Sequence, residues 1–296
     1  MRICRYQETP DGPVKVGVVE GDQILDVSAA ADALPAQRWP YPAGDLFITN
    51  LEAMKPVMAE LAAKATPVAV AAVLLKSPVA NPGKFICGAG NHKVVLERGI
   101  DPRNGGLLFK MTSANAGASD GVEMRWPERT LFHELEIAII IGKSGTRIAA
   151  ADALDYVAGY SIGLDMTMQG KEFHDFCKSF DSYGLMGPWL VTKDEIPDPS
   201  VLSFELKVNG ESRTKDSVSS LALSVPMLIE FASSIMTLNP GDVIFSGTPP
   251  LQVGPVVPGD VMHARMDVIG EMTVHVRAGE PGAQPEISGL VPEVAA

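Results

Sequence analysis

The stretch 131-LFHELEIAIIIGKSG-145 sets two carboxylates, Glu134 and Glu136, at the start of a run of apolar residues. Alternate residues of an extended chain face the same side. A strand through 134–142 therefore presents Glu134 and Glu136 together, with Leu135 turned away. The isoleucine-rich run behind them reads as a buried strand. Two adjacent buried carboxylates repel and lose hydration unless one is protonated or a cation binds both. A strand end facing water is the plain alternative, because glutamates are usually exposed. Asp165 closes a second apolar run, 159-GYSIGLDMTMQG-170, and offers a third carboxylate at a strand end. Three oxygen ligands suit Mg²⁺ or Mn²⁺, whereas Zn²⁺ is expected to bring His or Cys. His133 falls on the face opposite Glu134 and reads as a structural histidine.

The rest of the chain agrees with a globular protein built around such a site. At 296 residues it is long for one domain. Its composition, 46% hydrophobic and 20% charged, suits a large core and argues against disorder. A formal charge of -12 disfavours nucleic acid and anionic membrane surfaces as partners. An anionic substrate then needs local positive charge, from a metal or a few lysines. Cys4, Cys87 and Cys177 lack metal-site spacing, and no secretory apolar segment stands at the N-terminus. They read as reduced thiols of a cytoplasmic protein. Apolar runs such as 66-TPVAVAAVLL-75 are too short to span a bilayer.

Residues 1–75 read as a small N-terminal α+β domain. In it, 14-VKVGVVEGDQILDV-27 has hairpin spacing and 45-DLFITNLEAMKPVMAELAAKA-65 helical spacing. The Pro- and Gly-containing 74-LLKSPVANPGKFICGAGN-91 reads as a linker into a main domain, 76–280. There, strands are expected at 84–90, 106–111, 134–142, 156–166, 187–192, 202–210, 241–247 and 260–277. Helices are expected at 151–158 and at 224–236, the latter from Val225, Leu228, Ile229 and Ile235. Residues 281–296 read as a loose tail. Strands and helices do not alternate regularly, which favours an α+β fold over a doubly wound sheet.

Several motifs in order resemble the fumarylacetoacetate hydrolase family from about residue 81 to 277. They are 81-NPGKFICGAGN-91, 133-HELEIAIIIGK-143, 156-YVAGYSIGLDMT-167, 178-KSFDSYGLMGPWLV-191, 208-VNGE-211, 238-LNPGDVIFSGTP-249 and 253-VGP-255. The resemblance implies a mixed β-sheet roll or sandwich and a homodimer. It implies that Glu134, Glu136 and Asp165 hold Mg²⁺ or Mn²⁺, and that Lys178 is the active-site lysine. Thr248 with Gly247 corresponds to the family's substrate-binding turn, and Lys110 to its strand-end lysine. The family's substrates are 2-oxo or β-diketo acids, often acylpyruvates, that can chelate the ion. Chelation stabilises an enolate, through which hydrolytic C–C cleavage, decarboxylation and keto–enol isomerisation can all pass. The fold alone does not choose among them.

This chain departs from the family where a water-activating base is expected. Hydrolytic relatives commonly carry Asn-Tyr-x-x-His-x-x-Glu after the opening strand, whereas this chain reads 91-NHKVVLERG-99. Val95 stands where the histidine is expected and cannot accept a proton; Glu97 lies near the expected acid, and His92 replaces the tyrosine. Gln169 and Gly170 replace an Arg-Asp pair, and Gln169 joins the substrate-binding candidates. The segment 171-KEFHDFC-177 introduces His174 and Asp175 as replacement bases. Leu251 and Gln252 interrupt a glycine-rich turn and suggest a different substrate shape. The expectation is a C–C hydrolase of aromatic or related catabolism, with Lys178, Glu97, His92 and His174 as catalytic candidates. An isomerase, decarboxylase or hydratase of a 2-oxo diacid is the enzymatic alternative, and a ligand-binding pseudoenzyme the non-enzymatic one.

Overall fold

The computed structural model describes residues 1–279, so the tail expected at 281–296 lies outside the described residues. Its centre is the strand Leu135–Ile141, in which every residue is buried. Ile137, Ile139 and Ile141 enter one hydrophobic core, while Ala138 and Ile140 enter a second on the opposite face. This double burial explains the unbroken apolar run, since neither face is left for polar residues. The nine-residue strand Val157–Asp165 pairs with it antiparallel, Glu136 opposite Gly163.

These strands lie inside a 12-stranded mixed sheet. On one side follow Val243–Phe245, then Phe85–Gly88 in parallel, then the edge strand Leu107–Lys110. On the other follow Gly184–Thr192, then Arg2–Gln7, then the hairpin Lys15–Glu20 and Gln23–Asp26. The hydrogen-bonded sheet thus runs unbroken across the boundary expected at residue 75. Helix Leu51–Ala62 buries Leu51, Met54, Met58 and Ala62 against one face of the sheet. The opposite face shares its core with a five-stranded sheet that includes Ser203–Val208, Val261–Met266 and Gly270–Ala278. The α+β architecture of layered mixed sheets is as expected.

Local departures have physical reasons. The 45–65 segment divides into Leu46–Thr49 and Leu51–Ala62, with Asp45 capping the first by accepting from the Ile48 amide. Residues 151–158 form a 3₁₀ helix, Ala150–Tyr156, rather than an α-helix. In helix Val225–Ile235, Val225, Leu228 and Ile229 are buried, but Ile235 at the last turn is exposed. The polar strand Glu211–Ser217, an edge of the five-stranded sheet, shows no apolar alternation in the sequence.

The decisive correction concerns Glu134. The strand begins at Leu135, and Glu134 stands in the break between it and Leu131–His133, which belongs to a separate three-stranded sheet. The partner chain breaks at the same level. Strand Val157–Asp165 ends, Met166 intervenes, and Thr167–Met168 pairs with Leu131 and Phe132. The Asp165 amide donates to the Glu134 carbonyl at 2.9 Å and ties the two breaks together. Two adjacent chains therefore change sheets side by side, and the acidic residues sit at that corner.

Candidate active site

At this corner lies a cavity of about 360 Å³, whose lining includes Glu134, Glu136, Asp165, Lys178, Thr248 and His174. The three carboxylates each offer an oxygen within 4.8 Å of the others. Glu136 and Asp165 are almost fully buried, and Glu134 is partly covered. Two lysines answer them. Lys178 Nζ lies 2.7 Å from Asp165 Oδ2 and 3.0 Å from Glu134 Oε2, and its third donor reaches Thr167 Oγ1 at 2.7 Å. Lys110 lies behind the floor, outside the lining. Its Nζ is 2.5 Å from Asp165 Oδ1 and donates to the carbonyls of Met166 and Lys178.

The electrostatics follow from this arrangement. Burial pushes the Asp165 carboxyl up, but Lys110 and Lys178 outweigh it and hold it below its ordinary value. Burial raises Glu134 against the pull of Lys178. Glu136 is driven well above its ordinary value by burial, then by Asp165 and Glu134. It touches neither lysine among the described residues; its Oε2 accepts the Gly247 amide. Gly247 has φ +100°, a conformation that favours glycine. Burial alone would lower Lys178, yet Asp165 and Glu134 lift it well above its usual range. Cys87, also lining the cavity, is a neutral thiol because burial raises it well above its ordinary value.

Two ammonium groups thus face three carboxylates, and Glu136 is the one that neither lysine touches, so that burial favours its protonated form unless a cation joins it. The donor set is all oxygen, convergent and short of positive charge, which fits a divalent ion of the Mg²⁺ or Mn²⁺ type. Lysine contact does not exclude metal contact, since each carboxylate oxygen has more than one lone pair.

The remaining candidates divide. Gln169 lines the cavity, and its amide N–H donates to the Thr130 carbonyl. Thr248 lines it with a buried hydroxyl that has no partner among the described residues. Gly247 spends its N–H on Glu136, so the substrate-binding reading of that amide has no free donor behind it. His174 heads a five-residue helix, His174–Lys178, and reaches the cavity wall. His92 does not line the cavity. It caps helix Lys93–Glu97 by accepting from the Val94 amide at Nδ1, while Nε2 faces Asp216 Oδ2 at 3.0 Å. That contact assigns the ring proton to Nε2. Glu97 and Val95 lie on the same helix outside the lining, and Glu97 is exposed. Asp175, weighed as a replacement base, accepts the Phe109 amide at 2.8 Å and so protects the edge strand.

Leu251 is exposed, and Gln252 turns away to bind the Lys215 amide and the Thr214 hydroxyl. Pro250 and Val253 face the cavity instead, so the expectation that Leu251 and Gln252 shape it is corrected. Thr167 and Asn91 were not singled out from the sequence. The period-2 spacing from Asp165 signals Thr167. Asn91 bonds the Ser246 carbonyl and the backbone of Leu223, locking the turn beside the cavity.

Residues 88–277 match the family model for the fumarylacetoacetate hydrolase C-terminal domain. The chain belongs to the fumarylacetoacetate hydrolase family. Among curated relatives, maleylpyruvate hydrolase of Aquipseudomonas alcaligenes is 44% identical over 292 residues, covering 94% of this chain and all of the relative. Among solved structures, maleylpyruvate hydrolase from Sphingobium sp. SYK-6, in complex with manganese(II) and pyruvate, superposes with a TM-score of 0.81 at 36% identity. That similarity covers 95% of this chain and all of the other. A 5-carboxymethyl-2-hydroxymuconate delta-isomerase from Mycobacterium smegmatis is also similar, at 26% identity and a TM-score of 0.72, over 95% of this chain and all of the other. The family therefore carries more than one reaction on this fold, and the site has to be read for itself.

Proposed function

We propose that this protein is a divalent-metal-dependent hydrolase that cleaves a C–C bond of an acylpyruvate such as maleylpyruvate. The observation that carries the reading is the convergent cluster of Glu134 with the buried Glu136 and Asp165 at the floor of the cavity, beside Lys178. Glu134, Glu136 and Asp165 would hold Mg²⁺ or Mn²⁺. Such an ion supplies a Lewis acid that withdraws electron density from a 2-oxo acid and favours its enolate.

The chain's own residues supply the rest. Lys178 has its three donors committed to Glu134, Asp165 and Thr167, so it acts as a fixed positive charge beside the substrate oxygens. Lys110 holds Asp165 from behind. The Thr248 hydroxyl, which has no partner among the described residues, donates to the substrate carboxylate, and the Gln169 side chain serves the far end of the acyl chain. His174 takes a proton from water at the cavity wall as the water oxygen bonds to the acyl carbon. The bond between that carbon and the pyruvate methylene then breaks. The acyl part leaves as a carboxylic acid, and the pyruvate part takes a proton at carbon. His92 and Glu97, weighed from the sequence as partners in this step, stand outside the cavity and are given no part in it.

An isomerase, decarboxylase or hydratase of a 2-oxo diacid is the second reading, favoured by Val95, which offers no base where a hydrolytic histidine is expected and lies outside the cavity lining. The three unpaired cysteines support a cytoplasmic location, and the family resemblance supports a homodimer. The reading is tested by turnover of a panel of acylpyruvates and 2-oxo diacids with Mg²⁺ or Mn²⁺ added. Acylpyruvate cleavage that exhaustive chelation abolishes and added ion restores is expected; turnover indifferent to chelation contradicts it.

A further inference from the structure

We infer that Arg129 is a positioning residue, which through a two-pronged ion pair with Glu172 latches the segment before His174 so that the imidazole stays at the cavity wall. This role rests on the hydrolase reading, in which His174 moves the proton.

A five-residue helix has too little cooperativity to persist alone, so His174 depends on what holds the ends of its helix. The C-terminal end is secured. Cys177 and Lys178 are buried, and Ser179 Oγ accepts the Met111 amide. The N-terminal end is different: Phe173 is 91% exposed, and His174 is exposed beside it. There Asp175 ties the first turn to the Phe109 amide, and the segment ahead of it is gripped by Arg129, whose Nη1 and Nη2 each lie 2.8 Å from one oxygen of Glu172. The guanidinium also stacks over the Trp126 ring, 4.6 Å from its centroid. Trp126 in turn packs on Phe180 and Phe176, with centroids 5.1 and 5.9 Å apart. Arg129 is thereby joined to both ends of the helix, by charge before His174 and through aromatic rings after it.

Two further observations tie the pair to the segment between residues 168 and 174. A Cβ on Gly170 would overlap Glu172 Oε2 and lie 2.7 Å from Arg129 Nη1, so a larger residue there would push the two charged ends out of this arrangement. The Gln169 amide bonds the Thr130 carbonyl, which brings the segment after residue 168 alongside the turn that carries Arg129. Planar guanidinium, carboxylate and indole give a geometry that a lysine would not reproduce. The Arg129 bonds hold the Glu172 carboxyl down at about 2. The latch is therefore present above the ordinary carboxyl range and is lost only as pH falls towards that value, so it imposes no pH dependence near neutrality.

The test combines amide hydrogen exchange with kinetics on Arg129→Gln, Glu172→Gln, Gly170→Ala and the swap Arg129→Glu with Glu172→Arg. Each of the first three is expected to speed exchange over 169–175 by about tenfold while the central strands stay protected. With Mn²⁺ and an acylpyruvate, kcat should fall about 10- to 100-fold, as for a misplaced catalytic group, while pyruvate affinity holds. The swap should recover part of the loss. Combining Arg129→Gln with His174→Ala should cost no more than His174→Ala alone, because both act through one imidazole. Unchanged exchange in all three variants, or fully multiplicative losses in the double variant, overturns the latch. If the wild type turns over no acylpyruvate, the hydrolase reading fails, and the exchange measurement still decides whether the latch exists.

Discussion

The floor and the wall of the cavity are built by different means. The floor residues Glu136 and Asp165 belong to strands of seven and nine residues that are buried along their whole length. The wall residue His174 heads a five-residue helix and is exposed. Charge stabilisation works best from groups that do not reorient as charge develops, and long buried strands supply that rigidity. A proton-transfer group must instead meet water, and short exposed elements can be replaced without unfolding the sheet. In the proposed function the floor supplies fixed charge and the wall supplies the proton-transfer group.

The sharpest break of this contrast is expected at Asp165. Asp165→Asn removes the negative charge that holds both lysines. It should lower kcat/KM by about 10³-fold. It should also cost about 3–5 kcal/mol of stability, by leaving buried charge uncompensated. Urea denaturation alongside kinetics reads both, and a stable but inactive variant would show that the floor is not the structural keystone described.

Next in size is the pH response of His133, which is fully buried behind the floor with both ring nitrogens unpartnered among the described residues. Burial, then the charge of Arg213, lowers it from 6.5 to about 4. The unfolded chain therefore binds the proton first as pH falls. The stability that His133 permits is full above 6.5, drains away as pH falls towards 4 and is level below that. The loss is about 3 kcal/mol over that window. His133→Leu should flatten this part of the stability curve, and an unchanged slope would contradict the assignment.

His174→Ala should lower kcat by about 10²-fold. Melting temperature and pyruvate affinity should hold, because His174 is exposed and is not a floor residue. A matching fall in stability would erase the distinction between floor and wall. The smallest effect is expected at His92, whose loss removes a helix cap worth about 1 kcal/mol. Its rate should stay within about twofold, as for a substitution away from the site. A large rate loss in His92→Ala would restore the 92–97 segment to the chemistry.

The same contrast governs what could be read from the sequence. Glu134, Glu136 and Asp165 stood out because charge in an apolar run is rare and strand periodicity brings it to one side. The hairpin of residues 15–26 was legible from its turn. The break at Glu134 was not, since no proline or glycine marks it and the cause is pairing with Val256 and Met168. Nor did local pattern reveal that Arg2–Gln7 pairs with Gly184–Thr192, distant in sequence but adjacent in the sheet. The helices Lys93–Glu97 and His174–Lys178 are too short for a periodic signal and are fixed by caps and tertiary contacts. That is why His92, Glu97 and His174 could be named together from sequence, and why only the fold separates them.

The most direct measurement of the central claim is product analysis in ¹⁸O-labelled water with Mn²⁺ and an acylpyruvate. Cleavage to pyruvate and a carboxylic acid is expected, with solvent oxygen in the newly formed carboxylate of the acyl fragment. A rearranged substrate with its carbon skeleton intact, or loss of carbon dioxide without that labelled acid, would contradict it.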